Sequence, residues 1–290
     1  MERVGFIGLG NMGYPMAENM LATFGNLTVY NRSQKKAEIL QMKGAKIAHS
    51  PMEVADSSHV IILSLPGPAE VEEIVAGPAG ILSSGRTGIK IIDTSTISPI
   101  TSEKMYRLCK EQGIYYVDCP VSGGPAGAAD SSLSVMIGAT EEKITEQGLE
   151  PFLRVIGNTF HYIGKIGGGS SVKIINNYIA FTTQVVNGEA LLMADTLGIP
   201  TELFYQVTTS SSGSNKILNA KKKKVLTGDL KPGFALDLVV KDLELARQLC
   251  QDMKVPNFTL NTGLQFYREA QRKGHGKDDS CSVIRVIREQ

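Results

Sequence analysis

Short unbroken apolar runs alternate with amphipathic stretches through the first half of the chain, whereas beyond Pro200 only the amphipathic stretches remain. Runs this brief, bounded by turn residues, suit strands buried on both faces. The first is Val4–Ile7, which leads into a helical pattern from about residue 15. LTVYNRS at 27–33 follows, then a helix over 35–43, a strand over 46–48, a helix over 51–55 and the strand HVIILSLP. Next come a helix over 68–75, the strand KIIDTST, a helix over 99–112, IYYVDCPVSGG as one strand and LSVMIGA as another. Strands alternating with helices predict a mostly parallel, doubly wound sheet.

From 170 to 197 apolar positions almost encircle the helix axis, which predicts one long helix buried on most sides. Roughly 28 residues at ~1.5 Å each span about 40 Å, long enough to leave a first domain and form the spine of a second. Beyond it the pattern is helical throughout, over 202–210, 213–225, 237–253, 257–273 and 280–289. Two domains are expected from this length, residues 1–164 and 165–290, the second all-helical.

The first turn carries chemistry. Gly8, Leu9, Gly10, Asn11, Met12 and Gly13 form a GxGxxG loop between an apolar strand and a helix. In that context the first glycine permits a tight turn, the second admits a pyrophosphate against the backbone, and the third packs helix on strand. The helix N-terminus then faces the phosphates. The fold expected is therefore an α/β Rossmann-type N-terminal domain followed by an all-α C-terminal domain, joined by the long helix. In such sheets ligands gather beyond the carboxyl ends of strands, which directs attention to Leu65, Pro66, Ser95, Thr96 and Ser122 to Gly124.

After the second strand this fold usually places a carboxylate for the adenosine ribose, but here stand Asn31, Arg32 and Ser33. A carboxylate repels a 2′-phosphate, whereas a guanidinium binds it through paired hydrogen bonds, so NADP is favoured over NAD. The alternative is a solvated loop arginine.

VSGGPAGA at 121–128 offers the Ser122 hydroxyl and the amides of Gly123 and Gly124, a nest for a carboxylate or phosphate or else a simple turn. Lys173 stands near the start of the long helix, with Asn176 and Asn177 at i+3 and i+4 on the same face. Burial and the positive end of the helix dipole both favour a neutral amine, as an acid/base would need; a snorkelling lysine is the alternative.

The rest of the composition narrows the field. Charge is balanced, 30 Lys and Arg against 29 Asp and Glu, so nothing directs the chain to nucleic acid. No run reaches the ~18 to 20 apolar residues of a membrane helix, and Met1 leads at once into a strand, so a cytoplasmic protein, or a mature one of the mitochondrial matrix, is expected. Cys109, Cys119, Cys250 and Cys281 form no CxxC pair and the four histidines no cluster, so no metal site is expected. The KKKK run at 221–224 reads as the solvated side of a helix, and Lys241 beside Asp242 as a surface ion pair.

Four blocks then stand in a known order: GFIGLGNMGYPMAENM, DCPVSGGPAG, GKIGGGSSVKIINN and FALDLVVKDLELA. Together, and over essentially the whole chain, they resemble the β-hydroxyacid dehydrogenases, most nearly the 3-hydroxyisobutyrate dehydrogenases. The resemblance implies NAD(P)-dependent hydride transfer between nicotinamide and a short β-hydroxy acid or its semialdehyde. By matching position it implies Lys173 as catalytic lysine, Asn177 and more loosely Asn176 as orienting residues, and Ser122, Gly123 and Gly124 as the substrate carboxylate site. It also implies Lys241 as a cofactor-contacting lysine, with Thr96, Leu65 and Pro66 on the nicotinamide side. The related 6-phosphogluconate dehydrogenases carry a glutamate where this chain has Ala180, which argues against that reaction. The Asn31-Arg32-Ser33 loop looks like that of the NADP-using branch, which reduces glyoxylate, succinic semialdehyde or similar acids. A retained cofactor-binding scaffold without catalysis is the competing class, and site completeness argues against it. The apolar helix also suggests a homodimer or homotetramer.

Overall fold

In the computed structural model, which describes residues 2–289, the chain divides into two compact units, Met1–Lys173 and Ile174–Gln290. The first begins with β1 (Val4–Ile7), α1 (Gly13–Phe24), β2 (Leu27–Tyr30), α2 (Lys35–Met42), β3 (Lys46–Ile47), α3 (Pro51–Ser57) and β4 (Val60–Leu63). It continues through α4 (Pro68–Ala76), β5 (Lys90–Asp93), α5 (Pro99–Glu111) and β6 (Tyr115–Asp118). These strands form a parallel six-stranded sheet in the order β3-β2-β1-β4-β5-β6. That is the dinucleotide-binding order, whose reversal falls between β1 and β4.

Alternation within each strand explains why the sheet needs cover on both faces. Val4, Phe6, Val60 and Ile62 enter one apolar cluster, while Ile7, Ile61 and Leu63 enter the other. Each fully buried aliphatic side chain of this kind contributes about 1.5–3 kcal/mol. Ser50 and Ser98 cap α3 and α5 through the amides of Glu53 and Thr101, with proline at the first helical position of each.

The strand expected over IYYVDCPVSGG is two strands in two sheets. Pro120 cannot donate to a ladder, and the chain turns there out of the parallel sheet. Beyond it lie β7 (Val121–Ser122), α6 (Gly124–Ala129), β8 (Leu133–Ile137), α7 (Glu141–Glu146), α8 (Glu150–Ile156) and β9 (Gly157–Tyr162). β7 pairs antiparallel and β9 parallel with β8, making a separate three-stranded sheet.

The long helix, α9 (Gly168–Thr196), runs from the end of the first unit into the second. There it is joined by α10 (Thr201–Thr209), α11 (Lys216–Thr227), α12 (Leu236–Asp252), α13 (Phe258–Arg272) and α14 (Ser282–Arg288). Their core gathers Phe181, Val185, Leu191, Leu243, Leu264 and Ile284. α9 is buried or half-buried except along one narrow side, where Ile175, Ile179, Val186 and Met193, with Leu197 just past the helix end, are all more than half exposed. The lysine run is likewise more than a solvated face. Lys221 bonds the fully buried Asp279 at 2.6 Å, and Lys222 lies 5.8 Å from the centre of the Tyr205 ring.

Candidate active site

The glycine loop follows β1, and its three glycines meet three different surroundings. A Cβ at Gly13 would fall 1.9 Å from the Gly8 carbonyl oxygen, so only glycine lets α1 start this close to the loop. At Gly8, with φ +97°, it would meet the Ser64 carbonyl. At Gly10 it would meet nothing within 4 Å. Gly10 and Asn11 are exposed and Leu9 is buried, so the loop shows bare backbone at its tip over an apolar anchor. This bare backbone is what a pyrophosphate would need to approach, and Gly10 is the candidate position where a side chain would stand in its way.

Asn31 ties the end of β2 to this loop. Its Oδ1 accepts the Leu9 amide at 2.9 Å, and its Nδ2 donates to the Ser33 carbonyl at 2.7 Å. Arg32 and Ser33 are both exposed. Lys36, which the reading of the sequence passed over, joins the same region: its Nζ donates to the Gly10 carbonyl at 3.2 Å and lies 5.8 Å from the Tyr14 ring centre. A second cation at i+4 from Arg32, on the first turn of α2, was the available signal.

The neighbouring strand ends are cross-linked. Ser95 Oγ accepts the Leu65 amide at 2.9 Å, Thr94 Oγ1 donates to the Leu63 carbonyl at 2.6 Å, and the Ser95 amide donates to Asp93 at 2.9 Å. Leu65 and Thr96 are half-buried there and Pro66 is exposed. Asp93 is fully buried and takes a 2.7 Å hydrogen bond from the Tyr116 hydroxyl; burial pushes its carboxyl above the usual range.

Ser122 closes β7, and Gly123 and Gly124 follow with φ +139° and +70°, values side chains rarely adopt. Ser122 is half-buried and Gly123 exposed, so this loop can present its hydroxyl and amides to an anion.

Lys173 is the sixth residue of α9 and only 7% exposed, which disfavours a snorkelling role. The helix start is held by Asp118, at the end of β6, whose Oδ1 accepts the Gly167 amide at 2.9 Å and whose Oδ2 accepts the Ser170 amide at 2.8 Å. Hydrogen bonds to a charged acceptor contribute about 1.5–3 kcal/mol each. Burial pushes the Asp118 carboxyl upward, against the pull of these amides.

One turn beyond Lys173, Asn177 is also buried. It donates Nδ2 to Asp242 Oδ2 at 2.6 Å and accepts the Asn176 side-chain amide at 3.2 Å. Asp242 is fully buried, and Lys241 Nζ stands 2.9 Å from its Oδ1. The pair therefore joins a half-buried lysine to a buried carboxylate rather than forming the expected surface ion pair, and Asp242 becomes a further candidate site residue. Among the described residues no group of His, Cys, Asp and Glu could hold a metal ion.

Two family models cover the chain. The NAD binding domain of 6-phosphogluconate dehydrogenase matches residues 3–164, and the NAD-binding domain of NADP-dependent 3-hydroxyisobutyrate dehydrogenase matches 167–287. The chain is similar to the 2-(hydroxymethyl)glutarate dehydrogenase of Eubacterium barkeri, 35% identical over 98% of this chain and 94% of that protein. It is 31% identical to the mitochondrial 3-hydroxyisobutyrate dehydrogenase of Mus musculus, over 99% of this chain and 87% of that one. The solved structure of Psf3 in complex with NADP+ and 2-OPP superposes with a TM-score of 0.88 at 27% identity, covering 98% of this chain and 99% of the other. The glycine loop, the strand order and these matches agree: the chain belongs to the β-hydroxyacid dehydrogenase family and is a nicotinamide-dependent oxidoreductase.

Proposed function

We propose that the protein oxidises a short β-hydroxy acid to its semialdehyde, or runs the reverse reduction, with Lys173 as general acid/base. The observation that carries this reading is the burial of Lys173 one turn before the anchored Asn177. A buried lysine on a rigid turn can exchange a proton with a fixed partner, which a solvated one cannot do selectively. When bound, the nicotinamide accepts or supplies the hydride. Ser122 Oγ and the amides of Gly123 and Gly124 hold the substrate carboxylate, Lys173 takes the hydroxyl proton or returns it, and Asn177 keeps its aim.

Two relatives support a substrate class. The compounds that name them, 2-(hydroxymethyl)glutarate and 3-hydroxyisobutyrate, both hold a primary alcohol on the carbon next to the one bearing the carboxylate. The proposed substrate shares that unit. A semialdehyde reductase acting on succinic or tartronate semialdehyde or glyoxylate is the second reading, favoured by the cofactor loop.

NADP is the proposed cofactor. Residues 31–33 hold no carboxylate, Asn31 is engaged in holding the loop, and Arg32 and Lys36 supply positive charge for a 2′-phosphate. The solved relative bound to NADP+ supports this. Thr96, Leu65 and Pro66 are assigned to the nicotinamide side, and Lys241 to the cofactor.

Self-association through α9 completes the reading. Ile175, Ile179, Val186, Met193 and Leu197 are spaced by four and seven residues, the repeat of a helix-helix seam. A second copy of the chain is the proposed occupant, and sedimentation of the wild type against Val186→Glu tests it. No described helix is long and apolar enough to cross a membrane.

The test of function is the absorbance of reduced nicotinamide while NADPH or NADP is mixed with a panel of 3-hydroxypropanoates and semialdehydes. Turnover confined to acids with a β-hydroxyl or β-aldehyde supports the reading. Cofactor binding without turnover of any member would leave the scaffold alternative instead.

A further inference from the structure

The two oxygens of Asp118 are both occupied by amides of one short segment, Gly167 and Ser170, and Lys173 lies three residues further along the same helix. The close approach depends on small residues. A Cβ at Gly138 would fall 1.9 Å from Asp118 Oδ1, and one at Gly169 would fall 2.3 Å from the Met136 carbonyl and 3.1 Å from Asp118 Oδ2. Two glycines thus let a buried carboxylate reach the start of α9. The Ser170 hydroxyl also shares a 2.9 Å hydrogen bond with the Ser102 hydroxyl. At its other end Asp118 is fixed by its own backbone: its carbonyl accepts the Gly138 amide at 2.8 Å, and four residues on stands Ser122.

We infer that Asp118 is a positioning residue, which sets the first turn of α9 against the end of β6 and thereby aims the Lys173 amine. The inference rests on the acid/base reading of Lys173. A carboxylate suits the task because both of its oxygens accept. An amide in its place keeps one acceptor and turns a donor toward the other N–H. The helix start then loses one of its two ties, while Lys173 keeps its chemistry. A misplacement of about 1 Å in such a group costs up to ~100-fold in rate.

The test is a double-mutant cycle of Asp118→Asn and Lys173→Ala, read by kcat, by KM for the hydroxy acid and by cofactor affinity from nicotinamide fluorescence. Expected is a fall of about 10- to 100-fold in kcat for Asp118→Asn, with cofactor affinity unchanged, that disappears when Lys173 is already alanine. Wild-type kcat in Asp118→Asn, or a loss that multiplies with that of Lys173→Ala, overturns the inference. A rise in KM that persists in the Lys173→Ala background assigns Asp118 to the Ser122 loop instead and also overturns it. If Lys173→Ala itself keeps near-normal kcat, the acid/base reading fails and this inference with it. Should Asp118→Asn not fold, Ser170→Pro deletes the N–H that reaches Oδ2, at a first-turn position where proline is tolerated. The same dependence on Lys173 is expected there, and its absence counts against the inference equally.

Discussion

Asn177 Nδ2 meets Asp242 Oδ2 at 2.6 Å, both side chains buried, and this bond fastens α9 to α12 one turn from Lys173. Replacing Asn177 by alanine strips a hydrogen bond from a buried carboxylate, an expected loss of about 1–3 kcal/mol in stability. kcat should fall at least tenfold, on the order of a general-base misalignment. Asn177→Asp should be worse in both respects, because two carboxylates would then meet in a dry site. Chemical denaturation and steady-state kinetics on the two variants check the order.

Arg32 is predicted to discriminate between the cofactors. If its guanidinium binds the 2′-phosphate, Arg32→Ala loses about 1.5–3 kcal/mol, or ~10- to 100-fold in kcat/KM, with NADPH. The same substitution should leave NADH nearly untouched. Lys36→Ala should add a smaller loss in the same direction. Equal loss with both cofactors would place Arg32 outside phosphate recognition.

Gly10 and Gly13 should separate binding from folding. Alanine at Gly13 drives a methyl to 1.9 Å from the Gly8 carbonyl, so the loop and α1 must part. Overpacking of this kind costs about 1–3 kcal/mol, read as a lowered Tm. Alanine at Gly10 meets no protein atom within 4 Å and should fold normally, yet bind cofactor more weakly. Thermal melts with and without NADPH distinguish the two.

Asp279 sets an expectation for acid stability. Burial alone would raise its carboxyl, but the Lys221 ammonium and the amides of Cys281 and Gly233 hold it below the usual range. A carboxyl depressed in the folded state contributes stability above its unfolded value near ~3.9. That contribution is lost as pH falls from there through the folded value. Asp279→Asn should therefore be less stable than wild type at neutral pH, with the gap closing as pH drops below ~4. A gap that stays constant with pH contradicts the assignment.

Much of this was legible in the chain because local chemistry carried it. The glycine loop lies between a strand and a helix within ten residues, and Lys173 with Asn177 shares a helix face, so spacing was enough to single out both as candidates. What was hidden depends on partners distant in sequence. Asp118 reaches residues 49 and 52 positions away, and Asp242 reaches Asn177 across 65. No periodicity registers such bonds. The second sheet was missed because IYYVDCPVS reads as one continuous apolar strand, although Pro120 divides it. Which side of α9 is exposed was not legible, because hydrophobicity all round a helix does not distinguish a core-facing position from an exposed one.

The central claim is that Lys173 moves the proton. Its most direct measurement is kcat of Lys173→Ala with the best hydroxy acid, at a cofactor affinity shown to be unchanged. The account predicts a fall of ~10²- to 10⁴-fold. A folded, cofactor-saturated Lys173→Ala enzyme turning over at close to the wild-type rate would contradict it.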